Sequence, residues 1–237
     1  MLLTTEIRNK TILNFPTPLP AEKIKHYQEH FALAVLRYLK PAVYDRFRKQ
    51  DAPDLQSIDK KHGVEVTFAT SSEEASIDGN YAKLRLTQDE TYRQRLELKI
   101  KRNVERFDEY GISYPVKEKQ TEDRIICEAI EKKNGELDAY KNAGFESMSL
   151  FVYHEEPLLL RTEEQIKTLL DGTKGSQTYD SIYLCAPHCL ISYQYSSRDL
   201  QIISVPREDY EALEIIARMT VDGMIDIDNP VWTSCKE

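Results

Sequence analysis

The chain has little of what divides, cross-links or anchors a protein. No Gly/Ser/Pro-rich tract, repeat or low-complexity segment interrupts it, so a single domain spanning residues 1–237 is expected. Four cysteines, at positions 127, 185, 189 and 235, form no recognisable disulfide framework, which points to a reducing cytoplasm. The longest apolar stretch, Phe31 to Leu39, is broken by Arg37 and is too short to cross a bilayer. Residues 1–8 carry no basic segment followed by an apolar run, so no secretory leader is expected. Positive charge is also in deficit: 32 Lys and Arg stand against 40 Asp and Glu, a net charge of -8. Such a balance argues against diffuse coating of nucleic acid. It leaves room for a local basic cleft or for a protein partner.

What is present is enough apolar residue, 41% of the chain, to fill a proper core. The most informative stretch is 54–68. Val64, Val66 and Phe68 alternate with Glu65 and Thr67, the period of a half-buried strand. Leu55 and Ile58 precede it, and residues 59–63 supply turn material. A hairpin centred on Asp59-Lys60 sets Asp54 directly opposite Glu65, and a turn two residues wider makes them diagonal neighbours. Either register leaves both carboxylates on one face. Two close carboxylates repel unless a cation lies between them, and a hard divalent ion with oxygen ligands suits that place.

Pro53-Asp54 followed by Glu65-Val66-Thr67 resembles the PD-(D/E)XK, or restriction-endonuclease-like, nucleases. In that family Pro-Asp opens one strand and Asp/Glu-X-Lys lies on the next. Here Thr67 stands where the lysine belongs, and some branches supply that lysine from a following helix. The likeness extends loosely from Glu22 to Val152. It implies an α/β fold with a central mixed sheet flanked by helices, and hydrolysis of phosphodiester bonds, with DNA ahead of RNA. It further implies Mg²⁺ (or Mn²⁺) held by Asp54, Glu65 and the main-chain carbonyl of Val66. Many relatives act as dimers, so a homodimer is part of the expectation.

The rest of the pattern supplies the surroundings. A helix is expected over Ala21–Leu39, with Ile24, Tyr27, Phe31, Val35 and Tyr38 as its apolar stripe and a shorter one over Ala42–Arg48. Glu29 lies partly on the side of Leu33 and Leu36, and an acidic residue on the first helix joins the site in many restriction-endonuclease-like proteins. Ser71 or Ser72 caps a short helix broken at Asp78-Gly79-Asn80. A long helix over Gln88–Glu109 carries Arg95, Lys99, Arg102 and Arg106 at helical spacing, a stripe able to follow a phosphate backbone; the plainer reading is a solvated face. The helix Thr121–Lys141 turns Ile126, Ile130, Leu137 and Tyr140 inward. It resembles the helix that supplies the displaced lysine, with Lys133 first and Lys132 second. Strands follow at 148–153, 181–184, 190–195 and 200–205, with helices at 163–170, capped by Thr162, and 206–219.

Two zinc patterns carry less weight. His26-Tyr27-Gln28-Glu29-His30 matches the H-x-x-E-H of the inverzincin peptidases, but the glycine-rich lead-in and longer chain of that family are missing. Cys185, His188 and Cys189 offer three ligands in five residues without an evident fourth. The sequence therefore favours a metal-dependent nuclease acting through Asp54, Glu65 and Lys133. Its rival is a non-catalytic module of the same fold that binds a protein partner or nucleic acid, a reading supported by Thr67 and the acidic surface.

Overall fold

The computed structural model describes residues 19–108, 111–115, 117–155, 158, 161–173, 175 and 178–228. The N-terminal segment on which the leader expectation rests, and Cys235, lie outside these residues. The order is α1 (Ala21–Leu39), α2 (Pro41–Tyr44), β1 (Phe47–Lys49), β2 (Leu55–Ser57), β3 (His62–Phe68), α3 (Ser72–Leu86), α4 (Glu90–Lys101), β4 (Arg106–Asp108) and β5 (Gly111–Ser113). There follow α5 (Lys119–Asn134), α6 (Leu137–Asn142), β6 (Ser147–Tyr153), α7 (Glu163–Gly172), β7 (Ser181–Ala186), β8 (Cys189–Gln194), β9 (Asp199–Ser204) and α8 (Arg207–Val221).

Seven strands form one mixed sheet in the order β1-β2-β3-β6-β7-β8-β9. β3, β6 and β7 run parallel at its centre, and the outer pairs on both sides are antiparallel. β6 and β7 are covered on both faces and are largely apolar along their length, whereas β3 keeps its alternation of Val64, Val66 and Phe68 with Glu65 and Thr67. Phe151, Tyr183 and Cys185 point into a core with α1 and α8, formed by Phe31, Val35, Leu36, Leu213 and Ile216. Leu150, Val152, Ile182 and Leu184 point the other way, toward Ile126, Ile130, Leu137, Ile166 and Leu170 of α5, α6 and α7. Each such buried aliphatic or aromatic side chain contributes roughly 1.5–3 kcal/mol relative to exposure. The expected α/β architecture with a helix-flanked mixed sheet is the one observed. No helix among the described residues is long and apolar enough to cross a membrane.

Several local expectations need correction. The segment after Pro41 is helical only to Tyr44; Phe47 then enters β1, where it faces Ser57 and adds its ring to the α1 core. α3 runs unbroken through Asp78-Gly79-Asn80. A lone glycine in a helix costs only about 1 kcal/mol. Here a Ser71–Glu74 capping box holds the start, and Ile77 and Leu84 are buried against α4, which outweighs it. The helix expected over 88–109 stops at Lys101, because the chain turns back through the hairpin β4–β5 and lays Val104 and Phe107 on the apolar side of α3 and α4. The helix expected over 121–141 is two helices, divided at Gly135 and Glu136.

Gly63, in β3, is closely packed. A Cβ there would lie 2.5 Å from Cγ of Pro53 and 2.6 Å from Sδ of Met148. The strand thus passes directly beneath the Pro53-Asp54 step.

Candidate active site

β2 and β3 pair with Leu55 opposite Val64 and Gln56 opposite Gly63. Continued by one residue, this register sets Asp54 across from Glu65. The Asp54 side chain is fixed at one oxygen, Oδ2, by the Val66 amide, which donates to it at 2.9 Å. Its main-chain carbonyl accepts from the Gln50 amide at 2.9 Å, which ties the loop after β1 to the same point. Both carboxylates are buried, at 3% and 5% exposure. Burying a charge is costly without a partner, so what surrounds them is informative.

Glu65 is met from α5 and α6. The Lys133 ammonium lies 2.6 Å from Oε1, and the Tyr140 hydroxyl donates to Oε2 at 2.7 Å. Lys133 also donates to Glu136 Oε2 at 2.9 Å, and its main-chain carbonyl accepts from the Tyr179 hydroxyl at 3.1 Å. Burial, together with the charge of Asp54, raises the pKa of Glu65; Lys133 and Tyr140 oppose this without cancelling it. Burial alone would lower the Lys133 ammonium, but the hydrogen bonds and charges of Glu65 and Glu136 outweigh it and shift it upward. The Tyr140 hydroxyl is pushed up by burial and by its bond to Glu65, so it stays a donor.

Asp54 is met from α1. Lys25 lies 3.2 Å from Asp54 Oδ1 and 3.3 Å from Oε1 of Glu29, one helical turn further along. Glu29 is 1% exposed and receives Lys49, at the end of β1, at 3.0 Å on Oε2. The charge of Asp54, against the opposing effect of burial, raises the pKa of Lys25.

Of the residues singled out in the sequence, Glu29, Asp54, Glu65 and Lys133 are therefore joined in one network, with the Val66 amide as its main-chain member. Thr67 is half-buried two positions along β3, and Lys132 is exposed. The basic stripe is shorter than expected, because its last member leaves the helix. Arg95 and Lys99 are on α4, Arg102 is its C-cap, and Arg106 lies in β4 beyond the turn. Lys25, Lys49 and Tyr140 join the site without a motif to mark them. Lys25 is the helical neighbour of Glu29, a spacing legible in hindsight, while Lys49 and Tyr140 arrive through pairings that the sequence does not declare.

The zinc patterns are not gathered into a metal centre. His26 Nδ1 is 3.4 Å from Glu29 Oε2, but Glu29 is engaged by two lysines. Burial, with the charge of Lys49, lowers His30 to about 4. Cys185 and Cys189 are buried beside a turn in which His188 takes a positive φ, and burial raises both thiols. Among the described residues, no group of three His, Cys, Asp or Glu is placed to hold a metal ion.

A cavity of about 440 Å³ opens elsewhere, between α2 and the start of β3 and β6, lined by Tyr44, Phe47, Ser57, His62, Val64 and Ser149 among others. Asp54 and Glu65 do not line it. Comparison with protein-family models, curated proteins and solved structures gives no match to this chain.

Proposed function

We propose that the protein is a metal-dependent nuclease, hydrolysing phosphodiester bonds of nucleic acid with DNA ahead of RNA, on a divergent restriction-endonuclease-like site. One observation carries the reading: Lys133, from a helix distant in sequence, lies 2.6 Å from Glu65, on a strand that has Thr67 where the resemblance expects a lysine. A carboxylate pair with an adjacent ammonium is the minimum such chemistry needs. A purely structural pairing would not require Asp54 on the facing strand as well.

The donor chemistry fits Mg²⁺ or Mn²⁺. Asp54 and Glu65 are hard oxygen donors, and Val66 adds a main-chain carbonyl in the same stretch. Two carboxylates with water completing the shell is a common way for Mg²⁺ to be held. When bound, the ion would polarise the phosphate and lower the pKa of an attacking water. Lys133 would neutralise charge developing on the phosphate, and Tyr140 would hold Glu65 in position. Glu29 would orient Lys25 and Lys49 at the mouth of the site. The reading includes a cytoplasmic setting, and either a second copy or a partner chain that selects the target.

The rival, a non-catalytic binding module of the same fold, is favoured by one specific fact: both carboxylates already have protein donors. A thermal-shift titration with Mg²⁺ and Mn²⁺, paired with cleavage assays on single- and double-stranded DNA and on RNA, separates the two. A ligand bound only by the folded state raises the melting temperature. The nuclease reading expects a metal-dependent rise that Asp54→Ala removes, together with cleavage. Absence of both at millimolar metal would leave the binding module.

A further inference from the structure

We infer that Lys25 is a displaceable counter-ion that makes metal loading and phosphodiester binding depend on one another. The inference rests on the nuclease reading above.

The buried carboxylates of the network are matched one for one by ammoniums. Glu29, Asp54 and Glu65 face Lys25, Lys49 and Lys133. Lys133 also serves the half-buried Glu136, so the four carboxylates exceed the three ammoniums by one, and a divalent cation brings one positive charge more than that excess takes up. Either an ammonium leaves, or negative charge arrives with the ion.

The three lysines are not equally free to leave. Lys133 is 18% exposed and held by two carboxylates, and Lys49 is 23% exposed. Lys25 is 67% exposed, yet its ammonium bridges two carboxylates that are 2% and 4% exposed. Its stem is in solvent while its head closes the site from outside. A lysine stem has wide rotamer freedom, so release returns entropy that the bridge had removed. Asp54 would not lose its place when Lys25 swings away, because the Val66 amide still holds Oδ2 and leaves Oδ1 open.

Once out, the Lys25 ammonium remains tethered at the mouth of the site, within reach of a phosphate that approaches Asp54. It thus opposes the metal when no phosphate is present and meets the phosphate when one is. Such coupling is reciprocal: whatever factor nucleic acid adds to metal affinity, the metal adds to nucleic-acid affinity.

The test is a Mn²⁺ titration by calorimetry on the full chain, with and without a hydrolysis-resistant phosphorothioate DNA duplex. The parent is compared with Lys25→Met and with Lys132→Met, the latter an exposed lysine outside the network. The parent is expected to bind Mn²⁺ about tenfold tighter with the duplex, within the usual span of coupling between sites. Lys25→Met should bind Mn²⁺ about tenfold tighter than the parent without DNA, and the duplex should then add about twofold or less. Lys132→Met should match the parent. If folded Lys25→Met binds Mn²⁺ no tighter than the parent, Lys25 is not a competing ion and the inference is wrong. Should the methionine variant fail to fold, Lys25→Gln carries the same test, with the charge removed and a polar head kept. Absence of Mn²⁺ binding in every protein, with or without DNA, overturns the nuclease reading itself, which distinguishes that failure from failure of the lysine argument alone.

Discussion

Among the places where this fold takes carboxylates out of water, two have surroundings that differ sharply. At the candidate site, Asp54, Glu65 and Glu29 are each met by a lysine brought from another element or from the next helical turn. On α8, Glu214 is half-buried near Tyr27, Tyr153 and Tyr210. Among the described residues no cation or hydrogen-bond donor pairs with it. Burial, with Glu211 nearby, pushes Glu214 up to about 7. The sheet therefore handles acidic groups in two ways. One set lies among ammoniums that share its burial; the other has no such partner, and burial pushes its carboxyl up. Only the first arrangement gathers several charged groups at one point, which is why it is the candidate for chemistry.

The sharpest way to break this contrast is to make the first region resemble the second. Lys133→Ala leaves Glu65 buried beside Asp54 without its ammonium. A loss of about 3 kcal/mol in folding stability is expected, as when one partner of a buried ion pair is removed. Metal-induced stabilisation should survive, while cleavage should slow by about 100-fold or more. Lys132→Ala, on the same turn, should stay within about 0.5 kcal/mol of the parent. Denaturant unfolding and cleavage rates read both. Equal behaviour of the two variants would remove Lys133 from any special role.

The second region can be probed through pH. Glu214 has a higher pKa in the fold than the ordinary 4.5, so between about pH 4.5 and about pH 7 the native state keeps a proton that the unfolded chain has released. The native state binds more protons there, and stability must fall as pH rises through that window. By about pH 8 the penalty approaches about 3 kcal/mol. Glu214→Gln should therefore gain on the parent from little at about pH 5 to most of that amount at about pH 8. A difference independent of pH would show that Glu214 titrates normally.

The smallest effect concerns the basic residues of α4 and the hairpin. Because Arg102 caps the helix and Arg106 lies beyond the turn, the paired reversal Lys99→Glu with Arg102→Glu should change nucleic-acid binding by less than about threefold and leave its salt slope intact. A slope reduced by about one or two would mean that these side chains reach phosphates after all.

Much of the framework was legible because it is local. The limits of α1, the alternation of β3, the Asp59-Lys60 centre of the hairpin and the Thr162 cap all follow from residues within a few positions of one another. What escaped depends on distant partners. Gly79 reads as a break until Ile77 and Leu84 are seen buried against α4. Phe107 reads as helical until it is seen folded back toward Tyr81. The site divides along the same line. Asp54 and Glu65 belong to one hairpin and could be paired by register. Lys133 required the resemblance to be considered at all, because no local pattern ties α5 to β3. Lys49 reaches Glu29 from a strand whose first two residues, Phe47 and Arg48, the sequence pattern assigns to a helix.

Gly63 has the last consequence. A methyl group there would overlap Pro53, whose ring cannot swing aside, and the sulfur of Met148. The alignment of Asp54 with Glu65 thus depends on a side chain missing from Gly63, whose place Pro53 and Met148 take, as well as on the bonds around it. Adding one there would tilt one carboxylate away from the other while leaving every charged group in the protein intact.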